Sequence, residues 1–378
     1  MTDVNPRLSR LAAIPSVPLV LLVLLALSLF APCDVDARPR KKKVRPARQV
    51  MQPVIPEDPA VSAGKILESN MDAFFKARRP LYGSFVALEP DTGRVIAVSS
   101  FTNGGKVKDP AVTATFPAAS IFKVISAAAL IEKGVGVEEK VCYTGGRRNI
   151  TASNLLNRKR ERSCRSFSSA FAHSTNAVFA KLADRHLTAD RLIEMARRFG
   201  FGKTIKVGDV ATMSAVRRPE GRVGLARMAA GFAGSNLSAL HGAVIGAIIA
   251  NGGSWPSEVH VQDSGGPESQ QVISPETARA IGKMMTRTVT GGTGTKHLAV
   301  IKALSGSYPA VKTGTLTSRD GSGVWNNWIV GYYPSNKPEI AFAVHIGNSW
   351  AGGLRAGQAA AFAMKTWLKV RNRKAPSH

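Results

Sequence analysis

The placement of the strand-like runs constrains this chain more than any other feature. Gly83 to Leu88 and Arg94 to Ser100 are β-rich, and Glu89-Pro-Asp-Thr-Gly93 between them is a turn sequence, so the two should form a hairpin. Three more such runs lie near the other end: Ala310 to Leu316, Asn327 to Tyr333 and Glu339 to Ile346. The stretch between the two groups reads mainly as helix. Strands joined by short turns pair antiparallel, so the first pair and the last three are expected to combine into one five-stranded antiparallel sheet. In the order strand pair, helix, helical middle, three strands, helix, the first and last helices should cover that sheet. The helical middle should then form an all-helical second lobe, an α/β (α+β) architecture. No internal repeat is present.

Helix signals are plain at several points. Ser62 to Arg78 reads as a lead-in helix with Ser62 as cap. Pro117 suits a first helical position, and Ile121, Val124, Ile125, Ala128 and Ile131 mark one face of a helix that ends near Gly134. Thr188 caps a helix stopped by Gly200, Ser238 starts a small-residue helix to Ala250, and Ser274-Pro275-Glu276 opens one that stops at Gly291-Gly292. A final amphipathic helix is expected from Leu354 to Val370, and the 135–165 region reads as irregular and charged.

The formal net charge is +26. Part of it sits between Arg38 and Arg48, where seven Lys or Arg occur without an acid, the pattern of a basic tether near an anionic surface. No Cys/His finger, ribonucleoprotein aromatics or basic-region heptads are present, so no nucleic-acid partner is expected. The charge reads instead as a surface facing anionic lipid or wall polymer. The three cysteines are Cys33, Cys142 and Cys164. Cys142 and Cys164 are ordinary thiols in a reducing compartment. Outside the cytoplasm their pairing would close a loop worth about 3 kcal/mol by chain entropy. The histidines show no metal-ligand spacing, and His173 beside Ser174 reads as structural. Gly291-Gly-Thr-Gly-Thr-Lys296 lacks phosphate-loop spacing. Neither a metal nor a cofactor is expected.

The chemistry lies in three short segments. Ser120 and Lys123 are three apart on one helix face, with a hydroxyl near the free N–H groups of a helix start and an amine one turn on. An amine of lowered pKa there can take the serine proton. Ser174 and Asn176, two apart in an extended turn, can point together into a cleft. Lys312-Thr-Gly-Thr315 lies on a predicted strand, adding positive charge and hydroxyl donors, with a glycine that admits close backbone approach. Singly, these are a solvated helix face, a helix cap and a charged edge strand. It is their order that sets them apart. S-x-x-K, then S-x-N, then K-T-G resembles the set of penicillin-binding proteins and class A β-lactamases. The likeness extends to Gly83–Val98, Phe199-Gly-Phe-Gly202, Ala250-Asn-Gly-Gly253, Gly292-Thr-Gly294 and Trp328-Ile-Val-Gly331, and covers roughly residues 80–370.

The resemblance implies a penicillin-binding transpeptidase domain with its active site between sheet and helical lobe. Ser120 would be the nucleophile toward the D-Ala-D-Ala carbonyl of a peptidoglycan stem peptide. Lys123 would be its base, depressed by the like charge of Lys312 and by desolvation. Ser174 and Asn176 would relay the leaving-group proton and hold the peptide amide. Lys312, Thr313 and Thr315, with Gly314 between the threonines, would bind the terminal carboxylate. The N–H groups of Ser120 and Thr315 would form the oxyanion hole. The acyl-enzyme then passes to an amine (cross-linking) or to water (carboxypeptidase), and β-lactams would acylate the same serine. A β-lactamase is the runner-up, disfavoured because no Glu-x-x-Leu-Asn segment is present to hold a deacylating water. A third reading, of another class, is a non-turnover β-lactam or wall-fragment sensor.

Residues 1–37 read as a signal peptide or membrane anchor, Leu11 to Ala31 being almost wholly apolar. Residues 38–79 are a basic Pro-rich linker and lead-in helix, 80–372 the transpeptidase domain and 373–378 a tail; no glycosyltransferase domain or long pedestal is expected. The flank after the apolar run is the more basic one, which by the positive-inside rule would hold it in the cytoplasm. The chemistry requires the outer face, so the domain is expected in the periplasm, anchored to the bacterial cytoplasmic membrane or released by cleavage. Wall-synthesis proteins are the expected protein partners.

Overall fold

The computed structural model describes residues 63–262 and 271–371; the expected leader, most of the basic linker, Cys33, the Ser62 cap and the tail lie outside them. Among the described residues no helix is long and apolar enough to cross a membrane.

The five expected strands form one sheet. Its order is Ala310–Thr317, Trp325–Tyr333, Ile340–Asn348, Tyr82–Leu88, Val95–Thr102, and every neighbouring pair is antiparallel. The first strand of the chain therefore pairs with the last, Phe85 opposite Val344. Alternate side chains feed two cores. Phe85, Ala87, Val311, Ile329 and Val344 pack with helices Ala63–Arg78 and Ala356–Val370, and Val86, Leu88, Trp328, Val330 and Ala343 join the larger core on the other face. With both faces covered, strands Tyr82–Leu88 and Ile340–Asn348 are buried at every residue, which is why they read as continuous apolar runs.

Helix Ala239–Ala250 lies on that second face, capped by Ser238 through its side-chain acceptor for the His241 N–H. Its small residues let it sit close: a Cβ on Gly246 would come 2.5 Å from the Gly331 carbonyl oxygen. The final helix covers the sheet as expected. The opening helix does not; the lead-in helix takes its place, and Lys123–Glu132 becomes the centre of the helical lobe, among helices Asn176–His186, Ala189–Arg198 and Pro275–Gly291. Eight of its ten residues are buried, so its apolar surface extends all round rather than along one stripe.

Among the elements not read in the sequence, three stand out. Residues 135–165 contain a hairpin, Lys140–Tyr143 with Ser163–Ser166, in which Cys142 lies directly opposite Cys164 and is disulfide-bonded to it. Thr204–Val207, Val210–Met213 and Val259–Val261 make a small separate sheet, and Gly221–Ala229 is a helix.

Two buried histidines tie the fold to pH. His241 Nε2 lies 2.7 Å from the Phe199 carbonyl oxygen, and burial pushes its pKa down to about 4. His345 Nε2 lies 2.9 Å from Asn326 Oδ1, its ring between Phe116 and Trp328, and burial pushes it down to about 3. Both are held neutral, so their contribution is whole above the ordinary value of 6.5 and is lost as pH falls. Urea unfolding should therefore lose about 1.4 kcal/mol per pH unit for each histidine between that value and its lowered one, about 4 for His241 and about 3 for His345. A stability unchanged between pH 7 and 5 would contradict their burial.

Candidate active site

Ser120 sits on a tightly held turn rather than in the first turn of an α-helix. Phe116–Pro117 pairs with Asn236–Leu237 as a two-residue ladder, so Pro117 is not the first helical residue. The Pro117 carbonyl accepts from Trp328 Nε1 at 3.0 Å, and the Ala118 N–H donates to the Ser235 carbonyl at 3.1 Å. Ala119 then takes a left-handed φ of 50°, Ala119–Phe122 form a 3₁₀ turn, and the α-helix begins only at Lys123. The pairing with residues 235–237, invisible in the local sequence, overrides the proline signal. Two glycines close on this turn. A Cβ on Gly231, itself at φ 82°, would meet the Ala119 carbonyl oxygen at 2.2 Å, and one on Gly314 would meet the Ala119 Cβ at 3.4 Å.

Lys123 is wholly buried. Its Nζ donates to Asn176 Oδ1 at 2.7 Å and to the Ala230 carbonyl at 2.6 Å, and lies 2.7 Å from Ser120 Oγ. A neutral amine has two N–H donors and one lone pair. With both donors engaged by obligate acceptors, the lone pair is left for the serine hydroxyl. The pKa is held well below the lysine value, first by burial and second by the charge of Lys312. The order of the two causes reverses the sequence expectation: desolvation leads and like charge follows.

Ser174 and Asn176 do not share an extended turn. Helix Phe167–Ala172 ends in a reversal in which Ser174 takes a φ of 55°, with the Thr175 N–H donating to the Ala170 carbonyl, and Asn176 is already the first residue of the next helix. The two side chains consequently meet different lysines. Asn176 contacts Lys123, while Ser174 Oγ accepts from Lys312 Nζ at 3.1 Å. Lys312 is also buried, donates to the Thr313 carbonyl at 2.7 Å, and is lowered to about 7 by desolvation.

These residues bracket a cleft. One part, about 740 Å³, is lined by Ser120, Ser174, Asn176, Thr313, Gly314 and Thr315; a second, about 360 Å³, continues from Ser120 past Arg148, Phe232 and Trp325. His173 lines the first part with Nδ1 2.9 Å from the Ser169 carbonyl oxygen. A cavity of about 920 Å³ lies elsewhere, beside Glu89, Arg94 and Trp367, and contains none of the three segments.

Several contributors had no sequence signal because they act through backbone or packing. They are the Ala230 carbonyl, Gly231, and the Arg147 carbonyl, which accepts from Asn176 Nδ2 at 2.9 Å. Thr293, in the Gly292-Thr-Gly294 segment, differs in acting through its side chain: its hydroxyl lies 2.5 Å from that of Thr313. Arg147 belongs to the loop closed by the Cys142–Cys164 bond. The same hairpin is held by buried Lys181, which donates to the Cys142 carbonyl and to Glu161.

With three distant segments lining one cleft, comparison with known proteins is decisive. Residues 83–365 match the family described as penicillin binding protein transpeptidase domain. The chain belongs to this family. The peptidoglycan D,D-transpeptidase PbpA of Mycobacterium tuberculosis is 25% identical over 316 residues, covering 71% of this chain and 62% of that protein. The chain thus spans less than two-thirds of the length of the relatives it first matches. Among solved structures, the apo transpeptidase domain of penicillin-binding protein 3 from Burkholderia pseudomallei aligns with a TM-score of 0.66 at 22% identity, over 84% of this chain and 96% of that one. The D,D-transpeptidase domain of a peptidoglycan glycosyltransferase from Eggerthella lenta gives 0.63 at 23% identity over 81% of each. Penicillin-binding protein A from M. tuberculosis, as a ceftriaxone acyl-enzyme complex, gives 0.61 at 21% identity over 82% and 78%. At these identities the structures share the fold of the penicillin-binding transpeptidase domain.

The Gly231 contact is directly testable. Gly231→Ala combines a left-handed backbone with a clash against the Ala119 carbonyl, and should destabilise the domain by more than about 1 kcal/mol in thermal unfolding. A melting temperature equal to wild type would contradict the packing of this glycine under the Ser120 turn.

Proposed function

We propose that this chain is a serine acyltransferase of peptidoglycan assembly, a D-Ala-D-Ala transpeptidase or carboxypeptidase that works through an acyl-Ser120 intermediate and binds penicillin. The observation that carries this reading is the buried Lys123 amine, 2.7 Å from Ser120 Oγ with its other donors engaged. In the proposed cycle the neutral amine takes the Ser120 proton as Oγ attacks the carbonyl between the two D-alanines. The N–H groups of Ser120 and Thr315 stabilise the oxyanion. Ser174, bonded to Lys312, returns a proton to the departing D-alanine, and Lys312, Thr313 and Thr315 hold its carboxylate. The acyl group then passes to an amine of a neighbouring strand or to water. The absence of any Asp or Glu among the described residues lining the cleft weighs against a β-lactamase, which needs a group to activate a deacylating water. We place the domain on the outer face of the bacterial cytoplasmic membrane, tethered or released through its N-terminal segment and working beside wall-synthesis proteins.

A fluorescent penicillin should label the wild type and leave Ser120→Ala unlabelled; labelling that survives this change would overturn the assignment. Lys123→Ala should slow acylation by about 10²-fold or more. Because the amine must be neutral, acylation should already be fast at pH 7, well below the ordinary lysine value of 10.5, and should fall toward acid as Lys123 gains a proton. Turnover of a stem peptide, with many equivalents of D-alanine released per protein, marks an enzyme; a single equivalent with a persistent acyl-Ser120 marks a sensor.

A further inference from the structure

The cleft does not end at the three motifs. Its larger part runs on to Arg355, just before the final helix. The guanidinium is stacked on the Trp325 ring, 3.9 Å from its centroid, and donates one hydrogen bond to the Ala351 carbonyl at 2.6 Å. That fixes its plane while leaving most of its five donors uncommitted. Arg94, Arg198, Arg218, Arg222 and Arg371 each sit against a carboxylate; among the described residues none pairs with Arg355. Lys296 lines the same wall, and its charge and that of Arg355 are both felt by His297. Among the described residues no Asp or Glu lines either part of the cleft. A preorganised cation without a counter-ion in a substrate cleft is the mark of an anionic ligand.

A second, independent observation lies beside it. Asn327 also lines the cleft; it is 7% exposed, and its Nδ2 has no hydrogen-bond partner among the described residues. A buried unpaired donor is costly unless a ligand meets it. Asn327 is the cross-strand partner of Thr315, so their side chains share a face, and Trp325 is the partner of Thr317. Thr315, Asn327 and Arg355 over Trp325 therefore follow one another along the strands, Trp325 lying two residues, about 7 Å of strand, beyond Asn327.

We propose that Asn327 and Arg355 form a second carboxylate site, which selects stem peptides carrying a free carboxyl group upstream of the D-Ala-D-Ala end. This rests on the acyltransfer reading above. With the terminal carboxylate at Lys312 and Thr313, and the scissile carbonyl at the Thr315 N–H, the rest of the donor peptide continues along the strand toward Thr317 and Trp325. Two groups of a stem peptide can supply the carboxyl: the γ-linked D-glutamate, or a diamino acid that bears a second carboxyl. Amidation of that group removes the charge that Arg355 would meet.

The test uses the full chain and synthetic pentapeptides competing with fluorescent penicillin. Four peptides are compared: both carboxyls free, each one amidated, and both amidated. The free peptide should protect the wild type about tenfold better than the doubly amidated one. The single amidation that removes this advantage identifies the carboxyl read. Arg355→Gln should erase the preference, and Arg355→Lys should keep part of it. If the glutamine variant does not fold, the wild-type comparison and Arg355→Lys still decide. Equal protection by free and doubly amidated peptides in the wild type, or a preference unchanged in Arg355→Gln, overturns the proposal while the acyltransfer reading stands. A wild type that takes no penicillin overturns both.

Discussion

The site depends on an amine kept out of water without a carboxylate to balance it. Lys123 is fully buried, and its acceptors are an amide oxygen and a peptide carbonyl, neither of which carries a full charge. A charged ammonium is disfavoured in such a place, so the interior selects the neutral base. The positive neighbour Lys312 pushes the same way. One physical fact, desolvation, turns an ordinary lysine into a group that can accept a proton at neutral pH, and the chain is arranged to maintain it. The helical lobe buries the stem, the S-x-N segment supplies one acceptor, and the segment after helix Gly221–Ala229 supplies the other.

Holding Ser120 against that amine needs a stiff support, which both layers provide. From the sheet side, Trp328 donates to the Pro117 carbonyl and Gly314 lies against Ala119. From the lobe side, Gly231 packs under the same residue and Ala230 reaches the lysine. The left-handed conformations of Ala119 and Ser174 fall at the two turns that present hydroxyls to the cleft. Backbone strain of this kind persists only where the surroundings over-determine it, and both turns are clamped on two sides. The disulfide-closed loop adds a more distant support. Its Arg147 carbonyl fixes the amide of Asn176, whose oxygen in turn orients Lys123.

Much of this was legible in the sequence, for identifiable reasons. The five strands were readable because their hydrophobic content and turn residues are local signals, and the strand bounds differ from expectation by only a few residues. Ser120, Lys123, Ser174, Asn176 and Lys312 could be picked out because they meet one another through their side chains. The start of the opening helix was misread because Pro117 is equally suited to a short ladder, and pairing with Asn236–Leu237 decided between them. The 140–166 hairpin escaped because its paired strands have only four residues each. Ala230 and Arg147 act through carbonyls that every residue possesses, so no residue type could announce them. Asn327 and Arg355 became visible only when the strand register set one beside Thr315 and aromatic stacking set the other over Trp325.

The central claim is that Lys123 is neutral in the resting protein, and its protonation can be observed directly. With ¹³Cε-labelled lysine, the Lys123 resonance can be assigned by its loss in Lys123→Arg and followed through a pH titration. A neutral-amine shift at pH 7, becoming cationic only in acid, is what the buried geometry predicts. A cationic shift at pH 7 that titrates near the ordinary lysine value of 10.5 would contradict it.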